Sequence, residues 1–295
     1  MRTFGGVWPA LVTPFTPEDK VNTAMLRKLV DHFVARRLDG LYICGSMGEG
    51  VFMSTEEREL VVETVMDQAH GRLPVIVHVG AAATLDAVRL ARHAQSADAA
   101  GISAILPPVA FDPRSVVAHF EAIAAAVPDL PFLPYVFGGS RDAVALMRDL
   151  MHIPNLAGTK YFGPNMYEFS HVVEMRSECW TAFAGMDEQC IFAAMFGAHG
   201  SIGSTINLIP GVFQQIYACF RAGDLQSALE LQKRANRVID VLHSYGFMGA
   251  FKEALGYVGL ECGQPRQPNI PLAAEKRAEL RARLDAAGLA ELAAM

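Results

Sequence analysis

Residues 75–106, VIVHVGAAATLDAVRLARHAQSADAAGISAIL, contain the unit from which the fold can be derived. Residues 75–79 form a continuous apolar run, which is typical of a buried strand. Residues 85–97 predict a helix, and residues 102–106 predict a second buried strand. Neither strand alternates polar and apolar residues, which is the pattern of parallel strands covered on both faces. The segment therefore predicts a strand, a helix and a strand of one parallel sheet.

The same alternation continues in both directions along the chain. Residues 23–37 place apolar side chains on one stripe at helical spacing, and Ser54 with Glu57 predicts the capping box of the next helix. Beyond the central unit, Asp112 and Pro113 predict a helix start with an N-cap residue and a proline in the first turn. The pattern is thus repeated rather than local.

Eight predicted strands, each followed by a predicted helix, occupy residues 1–223. The strands are residues 6–13, 41–44, 75–79, 102–106, 131–136, 156–160, 180–184 and 200–203. A regular succession of this length favours a closed (β/α)8 TIM barrel, an α/β fold, over an open doubly wound sheet. Residues 224–295 predict helices throughout, and no linker precedes them. We therefore expect a C-terminal helical extension packed on the barrel.

Composition and charge exclude several classes of protein. Of 295 residues, 52% are hydrophobic and 19% are charged, which excludes disordered, collagen-like and coiled-coil chains. The 31 acidic and 25 basic side chains give a net charge of −6, and no basic run is present. Because counterion release on nucleic acid requires clustered Lys and Arg, we expect no nucleic-acid partner.

The cysteine and histidine spacings indicate neither a disulfide framework nor a metal site, and the hydropathy pattern indicates no membrane-spanning segment. The five cysteines are odd in number and lack CxxC spacing, and the nine histidines lack HxH or HExxH spacing. No apolar run is long enough to cross a bilayer, and the N-terminus lacks the apolar core of a signal peptide. We expect a cytoplasmic protein with no metal site and no membrane association.

One of the six lysines ends a predicted strand. Lys160 closes the run Asn155-Leu156-Ala157-Gly158-Thr159-Lys160, whereas the other five lie in a polar loop or in helical patterns. Catalytic groups of such barrels come from the carboxyl ends of the strands. Burial there lowers a lysine pKa, and imine formation with a carbonyl requires a neutral amine. The alternative is a lysine that extends out of the barrel mouth into solvent.

Other polar residues follow predicted strands at the same end of the barrel. Tyr135 ends the fifth strand and could relay protons, or it could be an aromatic residue of the barrel mouth. The glycine-rich residues 45–50 could hold an anion or form a tight turn. Asp187 and Glu188 could accept hydroxyls or act as helix-capping acids. Residues 200–205 could bind a polar tail or a phosphate.

Taken in order, these residues resemble the dihydrodipicolinate synthase / N-acetylneuraminate lyase family of class I Schiff-base aldolases. The resemblance covers nearly the whole chain. Its motifs are Leu11-Val12-Thr13-Pro14-Phe15, Gly45-Ser46-Met47-Gly48-Glu49, Tyr135, Gly158-Thr159-Lys160, Gly185-Met186-Asp187-Glu188 and Ile202-Gly203-Ser204-Thr205-Ile206-Asn207.

The resemblance implies an enzyme that assembles as a homotetramer and acts on a small 2-oxo acid without a cofactor. Lys160 would form an imine with pyruvate, and Tyr135 would transfer the proton that carbon–carbon cleavage or formation requires. The hydroxyl of Ser46 and the backbone of Met47 would bind the carboxylate. Ile202 would add a backbone contact to it.

Within the family, Gly185, Asp187, Glu188 and Ser204 are more similar to the lyase branch, in which the corresponding residues bind a sugar-acid tail. Three alternatives stay open. Two keep the imine: a 4-hydroxy-tetrahydrodipicolinate synthase, which condenses pyruvate with aspartate semialdehyde, and a sugar-acid dehydratase. The condensing branch has an arginine shortly after the tyrosine, and Arg141 cannot be equated with it. The third alternative is a 2-oxo acid binding protein without turnover.

Three departures from the family pattern make the predicted pocket more apolar than a sialic acid site. Met47 replaces a hydroxyl residue after Ser46. Phe162 stands two residues after the lysine, where the lyase branch tends to have threonine. Residues 106–111 lack the tyrosine that many relatives donate across a subunit interface.

Overall fold

The structure, a computed structural model, describes residues 4–105, 112–138, 142–176 and 178–295. Residues 106–111 and Arg141, discussed above, lie outside the described residues. The strands are β1 (Gly6–Pro9), β2 (Leu41–Ile43), β3 (Val75–His78), β4 (Gly101–Ile105), β5 (Phe132–Phe137), β6 (Gly158–Phe162), β7 (Thr181–Ala184) and β8 (Gly200–Gly203).

Helices follow the strands and continue beyond β8. They are α1 (Thr23–Ala35), α2 (Thr55–Ala69), α3 (Thr84–Ser96), α4 (Pro113–Ala125), α5 (Ala143–Leu150), α6 (Met166–Val173), α7 (Cys190–Met195), α8 (Pro210–Arg221), α9 (Leu225–His243), α10 (Phe247–Tyr257), α11 (Arg277–Ala286) and α12 (Leu289–Ala294). α9 packs against α7 and α8, and α11 packs against α9 and α10. The division of the chain at residue 223 stays a prediction.

The sheet confirms the predicted (β/α)8 barrel. The strands pair in the order β1-β8-β7-β6-β5-β4-β3-β2, and every pair is parallel. A bridge between Ala10 and Tyr42 joins β1 to β2. The barrel interior is filled by apolar side chains that include Trp8, Phe183 and Ile202. A second, larger core lies between the strands and the surrounding helices.

Side-chain caps fix several helix starts. The Ser54 hydroxyl accepts from the Glu57 backbone N–H at 3.2 Å, and the Glu57 carboxylate accepts from the Ser54 backbone N–H at 2.9 Å. This reciprocal pair confirms the capping box at the start of α2. At α4, the Asp112 side chain caps the first turn and Pro113 occupies it, as predicted.

Strand and helix bounds differ from the predictions at three places that matter for the site. β1 ends at Pro9, and beyond Ala10 the backbone leaves β8: the Leu11 N–H donates to the Tyr42 carbonyl and the Val12 N–H to the side chain of Asn207. β5 and β6 extend past Tyr135 and Lys160 because pairing continues between Phe137 and Phe162. The seventh helix begins at Cys190, after a single 3₁₀ turn, rather than at residue 188.

Candidate active site

Lys160 lies inside the barrel near the carboxyl end of β6. It pairs in register with Tyr135 of β5 and with Phe183 of β7, and it is 5% exposed. Its Nζ atom lies 4.3 Å from the ring centre of Tyr135 and 4.6 Å from that of Tyr42. No carboxylate of the described residues forms an ion pair with it. The alternative of a lysine that reaches solvent is therefore wrong.

The surroundings of Lys160 favour a neutral amine. Burial lowers the pKa of Lys160 to about 7, and the negative charge of Asp187 opposes this shift. An amine with this pKa is deprotonated to a large extent near neutral pH. Imine formation requires that protonation state.

Tyr135 presents a protonated phenol beside this amine. It is 3% exposed, and burial raises its pKa, while a hydrogen bond with the Ser46 side chain acts in the opposite direction. A phenol that keeps its proton at neutral pH is suited to donate it to an oxygen that gains negative charge. The hydrogen bond connects this phenol to Ser46, the exposed residue of the otherwise mostly buried loop after β2.

The loop of residues 44–50, after β2, has a strained backbone. Cys44 and Glu49 adopt positive φ angles of 58° and 54°, which non-glycine residues rarely do. At Gly50, a Cβ atom would lie 1.9 Å from the carbonyl oxygen of Cys44, so the close approach requires glycine. At least one glycine of residues 45–50, the segment predicted to hold an anion or to form a tight turn, is therefore required by close backbone packing. Strain of this kind is characteristic of functional sites.

A buried charge cluster holds this loop from the opposite end of the chain. The Glu49 carboxylate forms an ion pair with Lys252 of α10 at 2.7 Å, and both side chains are buried. The other carboxylate oxygen accepts from the Arg266 backbone N–H at 2.7 Å and from Asn269 Nδ2 at 3.0 Å. The residues after α9 therefore help to fix the loop that carries Ser46.

Asp187, just after β7, is bound to the loop after β8 rather than to its own helix. One carboxylate oxygen, Oδ2, accepts from the Thr205 backbone N–H at 2.6 Å, from Thr205 Oγ1 at 2.7 Å and from Ser204 Oγ at 3.3 Å. The interpretation as a helix-capping acid is therefore wrong. The other oxygen, Oδ1, is buried and has no hydrogen-bond partner among the described residues. Burial raises the pKa of Asp187 to about 6, opposed by the bonds from Thr205.

Two amide side chains of α9 hold the backbone that carries both acidic residues. Gln232 Nε2 donates to the Asp187 carbonyl at 2.9 Å, and Asn236 Nδ2 donates to the Glu188 carbonyl at 3.1 Å. Gln232 Oε1 also accepts from the Ile191 backbone N–H at 3.0 Å. These contacts were not predicted, because polar residues of an amphipathic helix carry no local sign of what they face.

The residues predicted for the site lie together in one cavity of about 310 Å³ at the carboxyl ends of the strands. All nine line it: Ser46, Met47, Tyr135, Lys160, Gly185, Asp187, Glu188, Ile202 and Ser204. The cavity is also lined by residues not assigned to the site from the sequence: Ala10, Phe137, Phe162, Thr205, Ile239, His243 and Phe247. Its size is within the range of small-molecule sites.

Comparison with known proteins identifies the family. The model of the dihydrodipicolinate synthetase family matches residues 3–287. The chain belongs to this family. It is 36% identical to an N-acetylneuraminate lyase of Rhizobium meliloti over 89% of this chain and 88% of the relative. It is 31% identical to one of Escherichia coli, with 86% of each chain covered.

A solved structure supports the same assignment. The N-acetylneuraminate lyase of Proteus mirabilis superposes with a TM-score of 0.92 at 31% identity, covering 98% of this chain and 100% of the other. The family match and these N-acetylneuraminate lyase relatives show a class I, pyruvate-dependent carbon–carbon lyase.

The described residues contain neither a candidate metal cluster nor a helix suited to cross a membrane. No group of three or more His, Cys, Asp or Glu side chains there is arranged to hold a metal ion. Among the helices in the described ranges, none combines the length and the apolar character that a bilayer span requires.

Proposed function

We propose that the protein breaks or makes the C3–C4 bond of a 4-hydroxy-2-oxo acid through an imine between Lys160 and the pyruvate half of the substrate. The observation that carries this proposal is the buried amine of Lys160. It has a pKa of about 7, lacks an ion-pair partner among the described residues, and lies 4.3 Å from the ring centre of Tyr135.

The reaction in the direction of bond formation follows from these groups. The neutral Nζ of Lys160 adds to C2 of pyruvate, the carbonyl oxygen leaves as water, and loss of a C3 proton gives an enamine. The enamine C3 attacks the carbonyl carbon of an aldehyde. The phenol of Tyr135 donates a proton to the aldehyde oxygen, which becomes the C4 hydroxyl, and the phenolate regains a proton from solvent water, to which the C3 proton was released. Water then hydrolyses the iminium, and cleavage is the reverse sequence.

The remaining predicted residues are assigned to binding. The Ser46 hydroxyl and the Met47 backbone N–H are proposed to hold the 2-oxo acid carboxylate, with a backbone contact from Ile202. Gly185, Asp187, Glu188 and Ser204 are proposed to contact the substrate at C4 and beyond it, with Asp187 Oδ1 accepting from the C4 hydroxyl. The unpartnered Oδ1 of Asp187 supports this assignment, because a buried acceptor favours a donor from the ligand.

Three broader expectations accompany the mechanism as proposals. They are turnover without any added cofactor, assembly as a homotetramer, and a cytoplasmic location. Turnover after exhaustive dialysis against a chelator and sedimentation equilibrium test the first two directly.

Borohydride trapping tests the proposed function. Pyruvate and borohydride are added to the wild type and to Lys160→Arg, and adducts are located by intact mass and peptide mapping. We expect one pyruvate per wild-type chain, on Lys160, and none on the variant. Lys233→Arg, at an exposed site on α9, serves as the matched control and should be labelled like the wild type. An adduct elsewhere, or none, overturns the proposal.

Tyr135→Phe separates imine formation from proton transfer. The variant should still trap pyruvate on Lys160. Its turnover should fall roughly 10²- to 10⁴-fold, which is the usual contribution of a positioned acid–base group. Unchanged turnover would remove Tyr135 from the mechanism and leave the imine intact.

A further inference from the structure

Two phenylalanines lie one layer above the reacting groups. Side chains alternate along a strand, so Phe137 and Phe162 face the same side as Tyr135 and Lys160, two residues before them. Phe137 and Phe162 pair in register, and their ring centres are 5.1 Å apart. The Phe137 ring also stacks on Tyr135 at 5.1 Å. We call Phe137 and Phe162 the aromatic wall.

Apolar side chains from other elements face the same cavity. Ile239 of α9 and Phe247 of α10 line it, as does Met47 of the loop after β2. Phe247 stacks on Phe251 behind it, with ring centres 5.6 Å apart, so its position is fixed by packing. A ligand group beyond the imine would therefore contact carbon on several sides.

Most polar side chains of the cavity form hydrogen bonds with one another. The Ser204 hydroxyl donates to Asp187 at 3.3 Å, and the Thr205 hydroxyl donates to the same carboxylate at 2.7 Å. The Oδ1 atom of Asp187, the side chain of Glu188 and the imidazole of His243, which also lines the cavity, remain for a ligand. A polyhydroxylated tail needs a partner for each buried hydroxyl, and each unpaired one costs on the order of 1–3 kcal/mol.

We propose that the aldehyde half of the substrate is apolar, with a ring or a branched alkyl group that packs on the aromatic wall. The substrate is then a 4-hydroxy-2-oxo acid with an apolar group at C4, and this inference rests on the proposed function. The step is the aldol addition given above. The new bond joins C3 of the pyruvate enamine to the aldehyde carbon, Tyr135 supplies the proton to oxygen, and no oxidant or reductant is needed.

Competing aldehydes test this substrate class. Addition of pyruvate to benzaldehyde, to isobutyraldehyde and to N-acetylmannosamine is followed with the wild-type enzyme. We expect kcat/KM for the better of the two apolar aldehydes to exceed that for N-acetylmannosamine by about 10-fold or more, since a single methylene group in an apolar pocket already gives roughly 10- to 200-fold discrimination. A wild-type preference for N-acetylmannosamine overturns the inference without any variant.

Variants at the aromatic wall locate the source of the preference. Phe162→Thr should lower the ratio of kcat/KM for the preferred apolar aldehyde over N-acetylmannosamine by roughly 10-fold or more, whereas Phe162→Leu should retain most of it. Phe196→Thr, an equally drastic change at a half-exposed position after α7, should leave the ratio unchanged. An unchanged ratio in Phe162→Thr contradicts the role of the wall.

Pyruvate trapping keeps the two proposals distinguishable. If wild-type enzyme traps pyruvate on Lys160 but prefers N-acetylmannosamine, the substrate class is wrong and the proposed function stands. If pyruvate is not trapped at Lys160, the proposed function fails, and the inference about the aldehyde fails with it.

Discussion

Two lysines of this protein are buried to a similar degree and differ in their partners. Lys160 is 5% exposed and Lys252 is 3% exposed. Nζ of Lys160 faces two aromatic rings, and it has no ion-pair partner among the described residues. Nζ of Lys252 forms an ion pair with Glu49 at 2.7 Å and donates to the carbonyl oxygens of Thr13 at 3.0 Å and Gln264 at 3.1 Å.

The difference separates a reactive amine from a structural one. Burial lowers the pKa of both lysines, because the charged form loses its hydration. At Lys252 the adjacent Glu49 carboxylate opposes that shift and the two charges stabilise each other. At Lys160 the opposing charge of Asp187 is weaker than burial, and the pKa falls to about 7. Burial therefore yields a nucleophile where no adjacent counter-charge retains the proton.

Removing the amine of Lys160 should give the largest effect. We expect Lys160→Met to lose turnover by roughly 10³-fold or more, since the covalent route is gone. The fold should not lose stability at pH 7, because each unit by which burial lowers the pKa corresponds to about 1.4 kcal/mol against the charged form. Turnover assays and thermal melts check this. A large drop in melting temperature would make Lys160 a structural residue.

The same substitution at the other lysine should destabilise the fold instead. Lys252→Met leaves the Glu49 carboxylate buried without its counter-charge, and such a loss costs about 3–5 kcal/mol. Urea denaturation measures the free energy of unfolding. The double variant Lys252→Met with Glu49→Gln removes both charges and should recover part of the loss. Equal stability of Lys252→Met and wild type would contradict the structural role.

Neutralising the Asp187 carboxylate near the reactive amine should have a smaller effect, on the pH dependence of imine formation. Asp187→Asn removes the negative charge that opposes the shift at Lys160, so the apparent pKa of imine formation should fall, by about 1 unit or less. The asparagine Oδ1 can still accept from Thr205, which preserves the local contact. The pH dependence of pyruvate trapping measures this shift. A midpoint that moves upward would contradict the assigned electrostatics.

The barrel and the site could both be predicted from the sequence. The strands and helices leave local patterns, and the site follows from the rule that catalytic groups lie at the carboxyl ends of the strands. Apolar runs and helical stripes indicate the elements, and parallel strands bring their carboxyl ends to one edge of the barrel. The positions of Ser46, Tyr135, Lys160 and Asp187 at strand ends therefore predict that they meet, and the cavity brings them together. Their chemical roles are the part that remains proposed.

The supporting contacts were not predictable, because they join distant parts of the chain. The sequence places Lys252 in a helical pattern like other surface lysines, and nothing near it indicates that it meets Glu49. Gln232 and Asn236 likewise contact the backbone after β7 only through the way α9 packs. Asp187 stands near a helix start, where a cap is the common role, yet tertiary folding directs its side chain to Thr205.

The pH dependence of imine formation on Lys160 tests the central claim most directly. Enzyme and pyruvate are mixed at pH values from 5.5 to 10, quenched at intervals into excess borohydride at one fixed pH, and digested for peptide mapping. We expect the rate constant for labelling Lys160 to rise with pH to a half-maximum near 7, with Lys252 unlabelled throughout. A half-maximum near 10, or labelling shared between the two lysines, would contradict it.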